Sequence, residues 1–268
     1  MKAFAAAIAV AFLIHTGALA ADVQRVYVLD CGQSLAKDQS RWSPGVNVGV
    51  AIQMAANCYL VRHDKGLVLW DTGYPDAIAA QADGISAAGG ASVARRLKTL
   101  KGQLAEIGVT PDDVTHVAIS HTHGDHIGNL DLFPRSTLIF QEAEYSWAFT
   151  GKPTPFPTTQ SVMKLNGDHD VFGDGAVTII STPGHTPGHQ SLMLRLPKTG
   201  VVLLSGDAVH FRDNWENVRV PSMNFDKAQT LASMQRLKDL MTQHKAQLWI
   251  NHDWAQTGQL AHAPNFVE

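Results

Sequence analysis

The chain has 268 residues, of which 45% are hydrophobic and 17% charged, with a formal net charge of −3. That supplies apolar material for a sizeable core. No basic cluster accompanies the slightly acidic balance, which excludes the electrostatic grip on phosphate backbones that nucleic-acid binding needs.

Met1-Lys2, the apolar stretch to Ile14 and the small-x-small run Ala18-Leu19-Ala20 read as a secretory signal peptide over residues 1–20. A membrane anchor is the rival reading, but the stretch is shorter than a bilayer span and His15 interrupts it. Cleavage after Ala20 removes only Lys2 among the charges and leaves a single domain over 21–268, without stable membrane insertion, in the periplasm or outside the cell. There Cys31 and Cys58 could pair in a disulfide, or they are two buried thiols.

Val23 to Leu29 reads as a strand, followed by an irregular stretch to Gly49. Asn57 to Arg62 and Leu67 to Trp70 flank Asp64-Lys65-Gly66 as a hairpin. Gln81 to Ser92, rich in Ala and Gly, predicts a surface loop, and the spacing of Val93, Leu97, Leu100, Leu104 and Ile107 predicts a helix stopped by Gly108. Thr137 to Phe140 predicts a strand and Gln141 to Phe149 a helix, after which the prolines of 151–157 forbid a regular element. Asp226 and Gln229 resemble a capping box opening a helix to about His244, with Leu231, Met234, Leu237, Leu240 and Met241 as its core face.

The chemistry concentrates in His121-Thr122-His123-Gly124-Asp125-His126, just past the apolar run Val117-Ala118-Ile119. On extended chain His121 and His123 point the same way, while Asp125 and His126 lie beyond in the turn, an arrangement suited to two neighbouring metal ions. His185, Asp207 and His252 each sit just past another strand-like run, where sheets present their ligands. Five imidazoles, two carboxylates and no thiolate suit a borderline divalent ion such as Zn²⁺, and purely structural roles would leave buried polar groups unpaired. Asp71 reads as a group orienting a ligand, and His189 as structural or supporting.

The order His-x-His-x-Asp-His, then distant His, Asp and His, with Asp71-Thr72-Gly73 upstream, resembles the metallo-β-lactamase superfamily over nearly the whole mature chain. The resemblance implies a four-layer αββα sandwich holding two zinc ions. His121, His123 and His185 would hold one, Asp125, His126 and His252 the other, with Asp207 joining them. It also implies hydrolysis by a shared, activated water, with Asp125 as proton shuttle.

The stretch from Ser205 to Met234 is most similar to N-acyl homoserine lactonases, which quench bacterial signalling by opening a lactone ring. The absence of a helical domain after His252 argues against a glyoxalase II, and a bridging Asp207 against the β-lactamases proper. His210 stands where those lactonases commonly carry tyrosine; imidazole in place of phenol resembles some secreted lactonases and phosphotriester-cleaving relatives, and His210 is expected to contact substrate. Met54, Trp147, Phe149, Phe156, Phe211 and Trp215 are candidates to receive an acyl tail, or are simply core. The expected partner is a small acyl lactone or ester, with a homodimer as one oligomeric option. The alternatives are a broader esterase or phosphotriesterase of the methyl parathion hydrolase kind, and a metal- or ligand-binding module without turnover.

Overall fold

The computed structural model describes residues 23–268, so the signal-peptide reading falls outside the described residues. Two sheets face each other. The larger has eight strands in the order β4-β5-β1-β2-β3-β6-β7-β8. These are β1 (Arg25–Ala36), β2 (Ile52–His63), β3 (Gly66–Trp70), β4 (Ile85–Ala87), β5 (Ser92–Arg95), β6 (His116–Ala118), β7 (Thr137–Gln141) and β8 (Val162–Leu165). The smaller runs β13-β12-β11-β10-β9. Its strands are β9 (His169–Asp170), β10 (Val177–Ser181), β11 (Gln190–Leu196), β12 (Gly200–Leu204) and β13 (Gln247–Trp249). The α-helices are α1 (Leu100–Glu106), α2 (Glu142–Phe149), α3 (Arg212–Glu216), α4 (Lys227–His244) and α5 (Trp254–Thr257).

Period-2 alternation builds the layers. In β2 and β3, Tyr59, Val61, Val68 and Trp70 point between the sheets, where they meet Val177, Ile179, Leu192, Leu194, Val202 and Leu204. Their neighbours Cys58, Leu60, Leu67 and Leu69 point outward, onto Leu100 and Leu104 of α1 and Phe149 of α2. On the far side, Met234 and Leu237 of α4 cover Leu203 and Leu248, with Leu231, Leu240 and Met241 packed alongside. Helix, sheet, sheet, helix: this is the αββα sandwich. The Asp64-Lys65 hairpin forms as expected, with His63 opposite Gly66.

Several local expectations are corrected. β1 does not stop at Leu29: it passes a register shift between Asp30 and Gln33, with Gly32 at φ +124°, and continues to Ala36. Residues 81–92 are not all loop, since β4 pairs with β5 and β5 covers the edge of β1. The helix over 93–107 therefore loses its first turns. Val93 pairs in the sheet, Leu97 is 71% exposed, and α1 starts only after Thr99, whose side chain accepts from Gly102 N at 3.0 Å. Apolar spacing alone could not reveal that an unpaired strand edge claims Val93. At α4, Asp226 accepts from Gln229 N at 3.0 Å, but the Gln229 side chain bonds the Asp226 carboxylate at 3.1 Å rather than its backbone, so only half of the capping box forms.

Cys31 and Cys58 are joined in a disulfide between β1 and β2, with Cα atoms 5.6 Å apart. Among the described residues no helix is long and apolar enough to cross a membrane.

Candidate metal centre

Strand ends from both sheets converge on one cluster. β6 delivers His121, β10 leads to His185, β12 ends just before Asp207, and β13 ends just before His252. Ligating atoms of His121, His123, His185 and Asp207 lie within 4.8 Å of one another, as do those of Asp125, His126 and His252, and those of Asp207, His210 and His252.

Asp207 stands between the first two groups. Its Oδ2 is 3.6 Å from His121 Nε2 and 3.3 Å from His185 Nε2, while its Oδ1 is 3.4 Å from His126 Nε2 and 3.0 Å from His252 Nε2. One oxygen thus addresses each half. Asp125 reaches His126 and His252 less closely, at 3.9 and 3.8 Å, and remains partly open to the cavity.

The outer ring nitrogens fix the tautomers. His126 Nδ1 donates to Asp71 Oδ2 at 2.8 Å, His252 Nδ1 to the Ala55 carbonyl at 2.6 Å, and His185 Nδ1 to Asn224 Oδ1 at 2.9 Å. Ser120 gives its hydroxyl proton to Asp71 at 2.8 Å, so its oxygen accepts from His121 Nδ1 at 3.1 Å. Each Nε2 therefore turns a lone pair inward. His121 Nε2 and His185 Nε2 lie 2.9 and 3.0 Å from His123 Nδ1. Among the described residues, His126 Nε2 and Asp207 Oδ1 are buried without hydrogen-bond partners. Acceptors crowded this closely, in a buried site, suit cations placed among them. The cluster could bind metal, and its nitrogen–oxygen set fits a borderline divalent ion.

Electrostatics divide the two halves. Burial, reinforced by neighbouring imidazoles, pushes His121 and His185 well below the usual histidine range. Burial also works against charge on His126 and His252, yet the surrounding carboxylates, Asp207 foremost, outweigh it and hold both above that range. The same carboxylates would favour a metal cation in place of that proton.

The supporting shell is dense. Asp71 sits at φ +58°, a left-handed conformation costly for a non-glycine residue, and its Oδ1 also accepts from Ser120 N at 2.7 Å. His189 is fully buried, donates from Nδ1 to the Thr182 carbonyl at 3.0 Å and accepts Asp207 N–H at Nε2, 2.8 Å away. Burial lowers its pKa to about 3 and keeps it neutral as this pairing requires. His210 places Nε2 3.2 Å from Asp207 Oδ2, while its buried Nδ1 has no partner.

The cluster floors a cavity of about 550 Å³ lined by His123, Asp125, His185, Asp207, His210 and His252 on one side. Trp42, Met54, Tyr74, Ile85 and Met223 line much of the rest, interspersed with Arg41, Ser34, Ser86 and Ser92. Of the acyl-tail candidates only Met54 lines it directly; Phe211 packs behind Met54 and Trp42. Trp147 lies outside the lining, 42% exposed with its ring 6.3 Å from His123. Phe149 and Phe156 are not brought to the cavity: both pack on Phe140 in the outer core of the large sheet. Trp215 packs beside α4 against Lys238 instead. Tyr74 was not anticipated, although it immediately follows Asp71-Thr72-Gly73. It is buried in the cavity wall, and burial with the nearby Asp125 charge raises its phenol pKa, keeping it protonated.

Comparison with known proteins agrees with this geometry. The metallo-beta-lactamase superfamily profile matches residues 52–242, and the chain belongs to that superfamily. It is 31% identical over 264 residues to the N-acyl homoserine lactonase AttM of Azorhizobium caulinodans, covering 91% of this chain and 98% of the relative. To a Bacillus sp. N-acyl homoserine lactonase it is 30% identical over 256 residues, covering 91% and 99%. A solved N-acyl homoserine lactone hydrolase, with the product N-hexanoyl-L-homoserine at its catalytic metal center, superposes with a TM-score of 0.81 at 27% identity, covering 92% of this chain and 100% of that one. A Bacillus thuringiensis AiiA variant with N-decanoyl-L-homoserine at its active site gives the same TM-score, identity and coverage.

Proposed function

We propose that this chain is an exported dizinc hydrolase that opens the lactone ring of N-acyl homoserine lactones. The carrying observation is the shape of the cavity: a His/Asp floor divided by Asp207, facing a wall of Trp42, Met54, Ile85 and Met223. A polar ring with an apolar tail matches both surfaces. Similarity to lactonases along nearly the whole chain supports the substrate class, and the Cys31–Cys58 disulfide supports an oxidising compartment.

His121, His123 and His185 would hold one ion, Asp125, His126 and His252 the other, and Asp207 both. When bound, two such ions polarise an ester carbonyl and bring the ionisation of water towards neutral pH. The chain's own residues do the rest. Asp125, the carboxylate most open to the cavity, takes the proton released on attack and returns it to the departing ring oxygen. His210, on the cavity surface beside Asp207, contacts the substrate and orients its carbonyl. The apolar wall receives the acyl tail and excludes water.

The test is a substrate panel: zinc-loaded protein with lactones of graded acyl length, aryl esters, a phosphotriester and a β-lactam. Ring-opened acid, with one proton released per event, is expected from the lactones at the highest kcat/KM. Preference for the phosphotriester or aryl esters over every lactone would instead favour the second reading, which rests on imidazole at His210. Stoichiometric ligand binding without product would mark a binding module. His210→Ala should lower kcat more than zinc content.

A further inference from the structure

Glu144 is a fully buried carboxylate that catalysis, as described above, does not use. It is the third residue of α2, and among the described residues no basic side chain pairs with it: Lys164 pairs with its helix neighbour Glu142, at 3.5 Å, instead. Its Oε1 accepts from Thr122 N at 2.8 Å and Thr122 Oγ1 at 2.7 Å, and its Oε2 accepts from Gly188 N at 3.1 Å. Thr122 lies between His121 and His123, and Gly188 lies three residues past His185. One side chain therefore ties together the two segments that carry all three imidazoles of the first half. The approach is close enough that a Cβ on Gly188 would meet Glu144 N at 2.2 Å, so this clasp needs glycine there.

Three neutral donors solvate this anion, but no ion pair among the described residues offsets its charge. Buried charges ordinarily need a charged partner. Asp71 gives the second half a comparable buried carboxylate, in direct contact with His126. We propose that Glu144 is a positioning residue for the first half, holding His121, His123 and His185 in register and supplying a buried negative charge that favours a cation among them. The inference goes beyond the substrate assignment. It rests on the cluster holding metal and not on which ester is cleaved.

A purely structural clasp and an electrostatic one respond differently. Glu144→Gln retains size, removes charge and turns one of the two acceptor oxygens into a donor; Glu144→Asp retains charge and shortens reach; Thr122→Val removes one hydrogen bond and leaves the charge. Zinc affinity would be measured by competition with a chromophoric chelator, and melting temperature both metal-free and zinc-loaded. Glu144→Gln is expected to weaken the first-half zinc at least about tenfold, as loss of an outer-shell partner does. The rise in Tm on adding zinc should shrink by roughly 3–5 °C, the equivalent of that tenfold change in a domain of this size. Thr122→Val should lower both melting temperatures alike, and Glu144→Asp, which keeps the charge but shortens the reach to Thr122 and Gly188, should weaken zinc less than Glu144→Gln does. Equal losses in the metal-free and zinc-loaded Glu144→Gln protein would overturn the proposal. If Glu144→Gln does not fold, a Glu144→Asp protein whose metal-free and zinc-loaded melting temperatures fall equally, with zinc affinity unchanged, would overturn it. A wild-type chain that binds no zinc overturns it together with the metal assignment, whereas a zinc-binding chain inert to lactones sinks the functional reading alone.

Discussion

The cavity's two walls differ in kind. The His/Asp wall is assembled from strand ends and fixed by a hydrogen bond at nearly every outer ring nitrogen. The apolar wall is assembled from separate stretches of chain, Trp42 after β1, Met54 in β2, Ile85 in β4 and Met223 before α4, and packing around Phe211 fixes Trp42, Met54 and Met223. Polar positions tolerate almost no change because each lost partner strands another buried group. Apolar positions can change size and re-pack, at a cost set by area. On the proposed function, the first wall would set the chemistry and the second the preferred substrate.

The largest effect should come from Asp207. Asp207→Asn loses the charge shared by both halves and turns an amide N–H₂ towards one of them. A fall in kcat/KM of at least about a thousandfold is expected, because removing a single preorganised electrostatic contact typically costs about 10²–10³ and this one would serve both ions of the proposed site. Elemental analysis should show lost metal, and a variant retaining full zinc and activity would erase the distinction between the walls. Next comes Asp71. Asp71→Asn keeps a hydrogen-bond acceptor for His126 without the charge, and about 10–100-fold weaker metal binding is expected in the second half, measurable by chelator competition.

Acidification gives a further test of the polar wall. His189 is neutral in the folded protein, with its pKa lowered from 6.5 to about 3, and unfolding restores the ordinary value. The unfolded state therefore binds the extra proton, and the stability contributed above about pH 6.5 is lost as pH falls towards about 3. In urea titrations of metal-free protein, His189→Asn should flatten this slope by up to about 1.4 kcal/mol per pH unit. An unchanged slope would remove His189 from the account. The smallest effect belongs to the apolar wall: Met54→Ala should leave short-chain lactones almost untouched and cost long-chain ones about fourfold in kcat/KM per methylene that loses its contact, following about 0.8 kcal/mol per CH₂. A loss equal for all chain lengths would mean that Met54 shapes the floor and not the tail pocket.

This difference also explains what could be read from the chain. His121 to His126, His185, Asp207 and His252 were legible because metal-type residues recur at the ends of apolar runs, and strand ends are where a sheet displays them. The layered fold was legible in the alternation of β2 and β3 and the apolar face of α4. Of the apolar wall only Met54 was. Phe149 and Phe156 look like pocket aromatics in sequence but fill the outer core, whereas Ile85 lies in a stretch whose Ala and Gly content suggested loop. Hydrophobicity marks burial without saying against what. Glu144 was hidden for the opposite reason: an acidic residue near a helix start reads as solvated surface.

Metal counting on active protein addresses the central claim most directly. Protein purified without chelator, analysed by elemental emission spectrometry alongside its lactone turnover, should carry two equivalents of zinc per chain, lose activity as they are stripped, and recover it on their return. Full turnover in protein stripped of every transition metal would contradict the account.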